Sequence, residues 1–98
     1  MTALRERDPL VEIEVGIRGD SAASLGNAGR KLGRAVSELA AFDAARRARG
    51  ERGALVRAAA GALWSYVVQR EALGLTDHGG VAETYGVTAE LWRRAGAA

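Results

Sequence analysis

The side chains able to do catalytic or metal chemistry are few in this 98-residue chain. It has no cysteine and a single histidine, His78, so thiolate catalysis, sulfur-ligated zinc and a histidine cluster for a metal are excluded. His78 follows Asp77, but no nucleophile or third orienting group stands at a spacing that would complete an acid-base site. We therefore predict that the protein is not an enzyme and holds no cofactor or metal, with His78 in a surface loop.

A pattern near the end of the chain could bind nucleic acid. Residues 81–94 read VAETYGVTAELWRR and resemble a DNA-binding helix-turn-helix, in which a small residue lets the two helices approach and a glycine makes the turn. Thr88 would cap the second helix, and Thr88, Arg93 and Arg94 would contact DNA. That helix offers no Asn or Gln for adenine, and its early glutamate would face phosphate. Packing of two short helices is therefore the favoured interpretation, and DNA binding the alternative.

Arginines concentrate in the middle of the chain. The formal net charge is only +2, yet residues 28–57 carry eight basic and three acidic side chains. Five guanidinium groups around one stretch could bind phosphate or an acidic partner, although such runs are more often a solvated helix end. The group comprises Arg46, Arg47, Arg49, Arg52 and Arg57. The first three complete the candidate nucleic-acid contacts of the alternative interpretation.

Helices are the elements expected to position these side chains. Asp8 followed by Pro9 is a helix start signal, and the first helix is predicted over residues 9–46. Its apolar or small stripe has three- and four-residue spacing and consists of Leu10, Ile13, Ile17, Ser24, Ala28, Leu32, Ala35, Leu39 and Phe42. Residues 11–15 alternate as a strand would, and several glycines between residues 16 and 33 weaken a helix. Whether the first helix is continuous there stays open.

The rest of the chain predicts a second long helix and two short ones. Residues 44–53 are predicted as the last turn of the first helix followed by a polar loop that reverses the chain, and residues 54–73 as a helix that is apolar around most of its circumference and most buried, with Arg70 extending to solvent. Gly74 is placed to end that helix in a left-handed cap. A short helix over residues 81–85 and a last one through Arg94 follow. The predicted fold is all-α: a long helical hairpin closed by two short C-terminal helices, in one domain over residues 1–98 with residues 1–8 as a flexible N-terminus.

The lengths of the two long helices predict self-association. At 1.5 Å per residue the first would span roughly 57 Å and the second roughly 30 Å, so the first must overhang. A second copy would cover the overhang most simply in a two-fold dimer, forming a dimeric helical bundle. The predicted interface residues are Leu10, Ile13, Ile17, Ala28, Leu32 and Leu39.

One resemblance extends over most of the chain. It rests on ALWSYVVQREALGL at residues 62–75 and YGVTAELWRR at residues 85–94, which are similar to a small bacterial all-helical family labelled only as a domain of unknown function. The resemblance implies a helical fold and a bacterial source, and it implies no activity.

The sequence also predicts where the protein works and with what. The N-terminal residues lack an apolar signal region, and no apolar stretch is long enough to span a bilayer, so we expect a cytoplasmic protein without a membrane partner. Our leading hypothesis is a non-enzymatic helical protein that associates with itself and with another protein. The alternative is a small DNA-binding regulator that uses residues 81–94.

Overall fold

A computed structural model describes residues 20–45 and 49–96, and the side chains of residues 22–45 and 50–96. Within these ranges four α-helices follow one another: α1 (Asp20–Ala45), α2 (Arg49–Ala72), α3 (Val81–Tyr85) and α4 (Ala89–Ala95). Every regular element in these ranges is a helix, which confirms the all-α prediction. Two predictions, the first helix over residues 9–19 and flexibility of residues 1–8, concern residues outside the described ranges.

The core lies between α1 and α2, which pack against each other as a hairpin. On α1 the buried stripe contains Ala28, Leu32, Leu39 and Phe42, as predicted. Ser24, predicted in the same stripe, is exposed, and Leu25 is buried in its place. The facing residues of α2 are Val56, Ala59, Leu63, Tyr66 and Val67. Their three- and four-residue spacing is what an amphipathic helix needs to bury one side.

Helix α1 continues through its glycines without a break, and one of them is needed for packing. A Cβ atom at Gly29 would lie 2.5 Å from Oη of Tyr85 and 3.3 Å from Cε1 of Tyr66. The two tyrosine rings meet edge to face, with centroids 5.1 Å apart. Gly29 therefore lets α1 approach an aromatic pair contributed by α2 and α3.

Helix α2 differs from its prediction at its start and in its burial. It begins at Arg49, so the predicted loop is wrong over residues 49–53. Arginine is a good helix former, and Glu51 in the first turn complements the positive end of the helix dipole. Burial around most of the circumference is also wrong, because 53% of Trp64 and 41% of Val68 are exposed.

The C-terminal third follows its local signals closely. Gly74 has a φ of 85°, and the amide of Leu75 donates to the Arg70 carbonyl at 2.9 Å, so the predicted left-handed cap is confirmed. Helix α3 ends at Gly86, with a φ of 71°, and α4 begins after Thr88, whose Oγ1 accepts from the Leu91 amide. Helix α3 contacts α1 and α4 contacts α2, so the two short helices close the hairpin.

Candidate functional site

The predicted helix-turn-helix residues lie on α4 and the turn before it. Arg93 and Arg94 are exposed in the last turn of this seven-residue helix. Thr88 acts as the N-cap, since its hydroxyl accepts from the Leu91 amide at 3.3 Å. Leu91 itself is fully buried. One side of α4 is therefore used for packing, while the two arginines remain accessible.

Arg52 joins three helices through two ion pairs. Its Nε donates to Asp43 Oδ1 at 2.7 Å, and its Nη1 and Nη2 donate to the two oxygens of Glu90 at 2.9 and 2.8 Å. The hydrogen bonds from Arg52 hold the pKa values of Asp43 and Glu90 below their usual range. The hydrogen bonds to Glu90 and Asp43 in turn raise the pKa of Arg52.

This arrangement corrects one part of the predicted arginine group. Arg52 is held by the carboxylates of α1 and α4, so it is not available to bind a phosphate. Arg46 and Arg47 lie outside the described residues, as does the side chain of Arg49. Arg57 is exposed on α2 and is the other member of the group whose side chain the structure describes.

Arg70 and His78 form a second polar cluster, which the sequence analysis missed. Arg70 is 1% exposed, so the prediction that it extends to solvent is wrong. Its Nη2 donates to the Asp77 carbonyl at 2.8 Å and its Nε to His78 Nδ1 at 3.3 Å. Because an arginine Nε can only donate, Nδ1 accepts and the ring hydrogen lies on Nε2, which is 3.1 Å from Glu71 Oε2.

The role of this cluster follows from its partners. His78 is no free surface residue, since its side chain is only 18% exposed. The guanidinium of Arg70 also lies 5.9 Å from the centre of the Tyr66 ring, which is within range of a cation–π contact. Arg70 thus ties the connection after α2 to the core. The signal available in the sequence was the separation of only eight residues between Arg70, near the end of α2, and His78 in the loop that follows.

A shallow polar groove lies between the two long helices. It has a volume of about 400 Å³ and is lined by Ser24, Asn27, Ala28 and Lys31 of α1 and by Gly61, Ala62, Ser65 and Gln69 of α2. Its side chains can donate and accept hydrogen bonds, but Lys31 is the one ionisable group among them, so the groove offers no acid-base pair.

Two further properties concern the described residues alone. In residues 20–45 and 49–96, no three His, Asp or Glu side chains are grouped so that they could hold a metal ion. In the same ranges no helix has the length and apolar character required to cross a membrane.

The predicted dimer interface on the first helix is occupied by the chain's own core. Ala28, Leu32 and Leu39 are 7%, 0% and 5% exposed because α2 covers them, so they cannot also contact a second copy of this fold. The other three predicted interface residues, Leu10, Ile13 and Ile17, lie outside the described residues.

An exposed and uncharged surface lies instead on α2. We define the α2 face as six exposed positions at alternating four- and three-residue spacing: Ala54, Ala58, Gly61, Ser65, Val68 and Ala72. One flank of this face carries Arg57, Trp64 and Glu71, which are also exposed. The exposed side of α1, by contrast, carries Arg30, Lys31, Arg34 and Glu38. The sequence showed these small and uncharged residues of α2 but not that the core leaves them exposed.

Comparison with known proteins identifies a family. Residues 2–98 match a family of unknown function, which confirms the resemblance to a family labelled only as a domain of unknown function. No curated protein and no solved structure matches the chain. The match brings no activity with it, so a functional argument has to come from the surfaces described above.

Proposed function

The chain belongs to that family of unknown function, DUF6665, and we propose that it is a non-enzymatic helical protein of the bacterial cytoplasm that works by associating with itself and with another protein. The observation that carries the proposal is the exposed α2 face, with Trp64 beside it. Exposed apolar side chains that form one contiguous patch commonly mark interaction surfaces.

The size of the exposed apolar area supports this proposal. With 53% of Trp64 exposed, on the order of 100 Å² of its side chain meets water. Burying that area in an interface contributes about 2–3 kcal/mol per copy at roughly 25 cal/mol per Å². Val68 lies one helical turn further along and extends the same apolar patch. The patch is small enough for a monomer to stay folded and large enough to favour a partner.

The contacts of the two polar clusters, around Arg52 and around Arg70, indicate that these side chains have a structural role. Arg52 is engaged by Asp43 and Glu90, and Arg70 holds the connection at Asp77 and His78. In each case the charged group joins segments of the fold, as expected of residues that specify packing.

Sedimentation velocity tests the proposal. We expect the parent protein to self-associate by roughly 100 µM, a concentration suited to a small interface. Trp64→Glu and Val68→Glu should each give monomers that remain folded, since both positions are exposed. Ser37→Glu, at an exposed position of α1, is the matched control and should leave association unchanged. A parent that stays monomeric at this concentration would refute self-association.

DNA binding by α4 is the second candidate, favoured by the exposure of Arg93 and Arg94. If DNA binding is right, the double substitution Arg93→Ala with Arg94→Ala should weaken binding to duplex DNA. It should also reduce the slope of log affinity against log salt concentration by up to about two. We expect the parent to bind duplex DNA weakly and without sequence preference. Enrichment of one palindromic site from random duplexes would instead favour a DNA-binding dimer.

A further inference from the structure

We infer that the occupant of the α2 face is a second copy of this chain, bound antiparallel through its own α2 face across a two-fold axis. The inference rests on the proposed self-association and adds its surface, direction and register. The starting observation is that Trp64 and Val68 are the large apolar side chains left exposed on the described part of the chain, and that both lie on or beside this face.

The spacing of the face fits a paired helix. Its six positions alternate by four and three residues, which is the seam of a two-helix coiled coil. In an antiparallel pair, residues at the start of the α2 face lie opposite residues at the end of the partner's α2 face. Ala54 then meets the partner's Ala72, Ala58 meets the partner's Val68, and Gly61 meets the partner's Ser65. Each larger residue faces a small one, so the two helix backbones can approach closely.

The flank of the face supplies the charge complementarity that selects a direction. Arg57, Trp64 and Glu71 are spaced by seven residues, so antiparallel pairing places Arg57 beside the partner's Glu71 and repeats that contact by symmetry. Trp64 lies next to the partner's Trp64 close to the axis. A parallel pair would instead place Arg57 and Glu71 against the other flank of α2, whose own residues Leu55, Ala62 and Gln69 are uncharged.

The two charged groups are accessible for this contact. The Glu71 side chain is 54% exposed and uses Oε2 for His78, so its other oxygen can accept from an arginine. Arg57 is exposed, and no ion pair to it is found among the residues that the structure describes. The face runs roughly 27 Å along α2 at 1.5 Å per residue, a small interface that should give a micromolar Kd.

Charge reversal tests the direction. Arg57→Glu and Glu71→Arg should each raise the dimer Kd by about tenfold, because either change creates two symmetric like-charge contacts. The double variant carrying both changes should return to within about threefold of the parent, since the pairs are re-formed with the charges exchanged. Arg34→Glu, which reverses an exposed arginine of α1, is the matched control and should leave the Kd unchanged. Failure of the double variant to recover would overturn the antiparallel arrangement.

Cross-linking tests the register independently. The chain has no cysteine, so single substitutions give unique thiols, and a Cβ at Gly61 would meet no atom within 4 Å. A mixture of Gly61→Cys and Ser65→Cys proteins should form the mixed disulfide in preference to either homodimer. A preferred Ser65→Cys homodimer would show a parallel pair and overturn the inference. If the parent dimerises but the cysteine variants form neither cross-link, this face is refuted and self-association stands. A monomeric parent refutes the self-association in the proposed function.

Discussion

The close approach at Gly29 gives a prediction whose sign differs from that of ordinary helix energetics. Replacing a glycine inside a helix by alanine usually stabilises by about 1 kcal/mol, because glycine is the poorer helix former. At Gly29 the added Cβ would stand 2.5 Å from Tyr85 Oη and 3.2 Å from its Cζ. Inserting a carbon into such a packed contact costs about 1–3 kcal/mol.

We therefore expect Gly29→Ala to lower the stability by about 1 kcal/mol net, which is a fall of roughly 4–8 °C in melting temperature for a domain of this size. Gly33→Ala is the matched control in the same helix. Its Cβ would lie 3.6 Å from Tyr85 Cδ1, an ordinary van der Waals separation, so only the helix-propensity gain should remain. That variant should melt a few degrees above the parent.

Thermal unfolding followed by circular dichroism measures both variants, and a double-mutant cycle identifies the atom responsible. Tyr85→Phe removes the hydroxyl oxygen that the new Cβ would meet most closely, so Gly29→Ala should cost clearly less in that background. Equal melting temperatures for Gly29→Ala and Gly33→Ala would refute the packing argument. An unchanged cost in the Tyr85→Phe background would show that the phenol oxygen is not the obstacle.

Three further perturbations test the core and the two polar clusters. Leu32→Asp places an unpaired charge at a position with 0% exposure and should cost more than about 4 kcal/mol, which a denaturant titration would reveal as loss of the folded baseline. His78→Ala removes the acceptor of the buried Arg70 Nε and should cost about 1–3 kcal/mol in the same titration; parent-like unfolding would show that this contact contributes nothing. The lowered pKa values of Asp43 and Glu90 mean that their ion pairs stabilise the fold above the unfolded pKa of about 4 and lose that contribution as the pH falls through the lowered folded values. Melting temperatures measured from neutral to acid pH should thus fall less for Glu90→Gln than for the parent, and parallel curves would contradict the assignment.

Sequence reasoning succeeded where a residue acts on the backbone within a few positions of itself. Gly74 and Gly86 adopt the left-handed conformation that glycine allows at no steric cost, and Thr88 accepts the capping hydrogen bond that its hydroxyl favours. The buried stripe of α1 was also predictable from Ala28 to Phe42, because charged residues between its members leave one apolar side. These features need only information that lies within a few residues.

The failures concern which neighbour a side chain meets. Trp64 and the core residue Leu63 are both apolar, and nothing local distinguishes the side that faces α1 from the side that faces solvent. Arg70 has a long polar end, yet it is buried because the connection after Gly74 returns over it and supplies a carbonyl and an imidazole nitrogen. Arg52 looked like one of five solvated arginines, and its partners lie 9 and 38 residues away in the chain.

The attachment of α4 has a consequence for how the molecule opens. Three of its seven residues are exposed, and it is held by Leu91, by the partly buried Trp92 and Ala95, by Val87 before it, and by the Arg52 contact with Glu90. Few buried contacts mean a low free energy for local opening. The amides of α4 should exchange with deuterium through a subglobal unfolding event, whereas those at the centre of α1 and α2 should exchange only when the whole hairpin unfolds. Native-state exchange would then divide the described chain into a slow hairpin and a faster C-terminal unit, with Arg52 as the link between them.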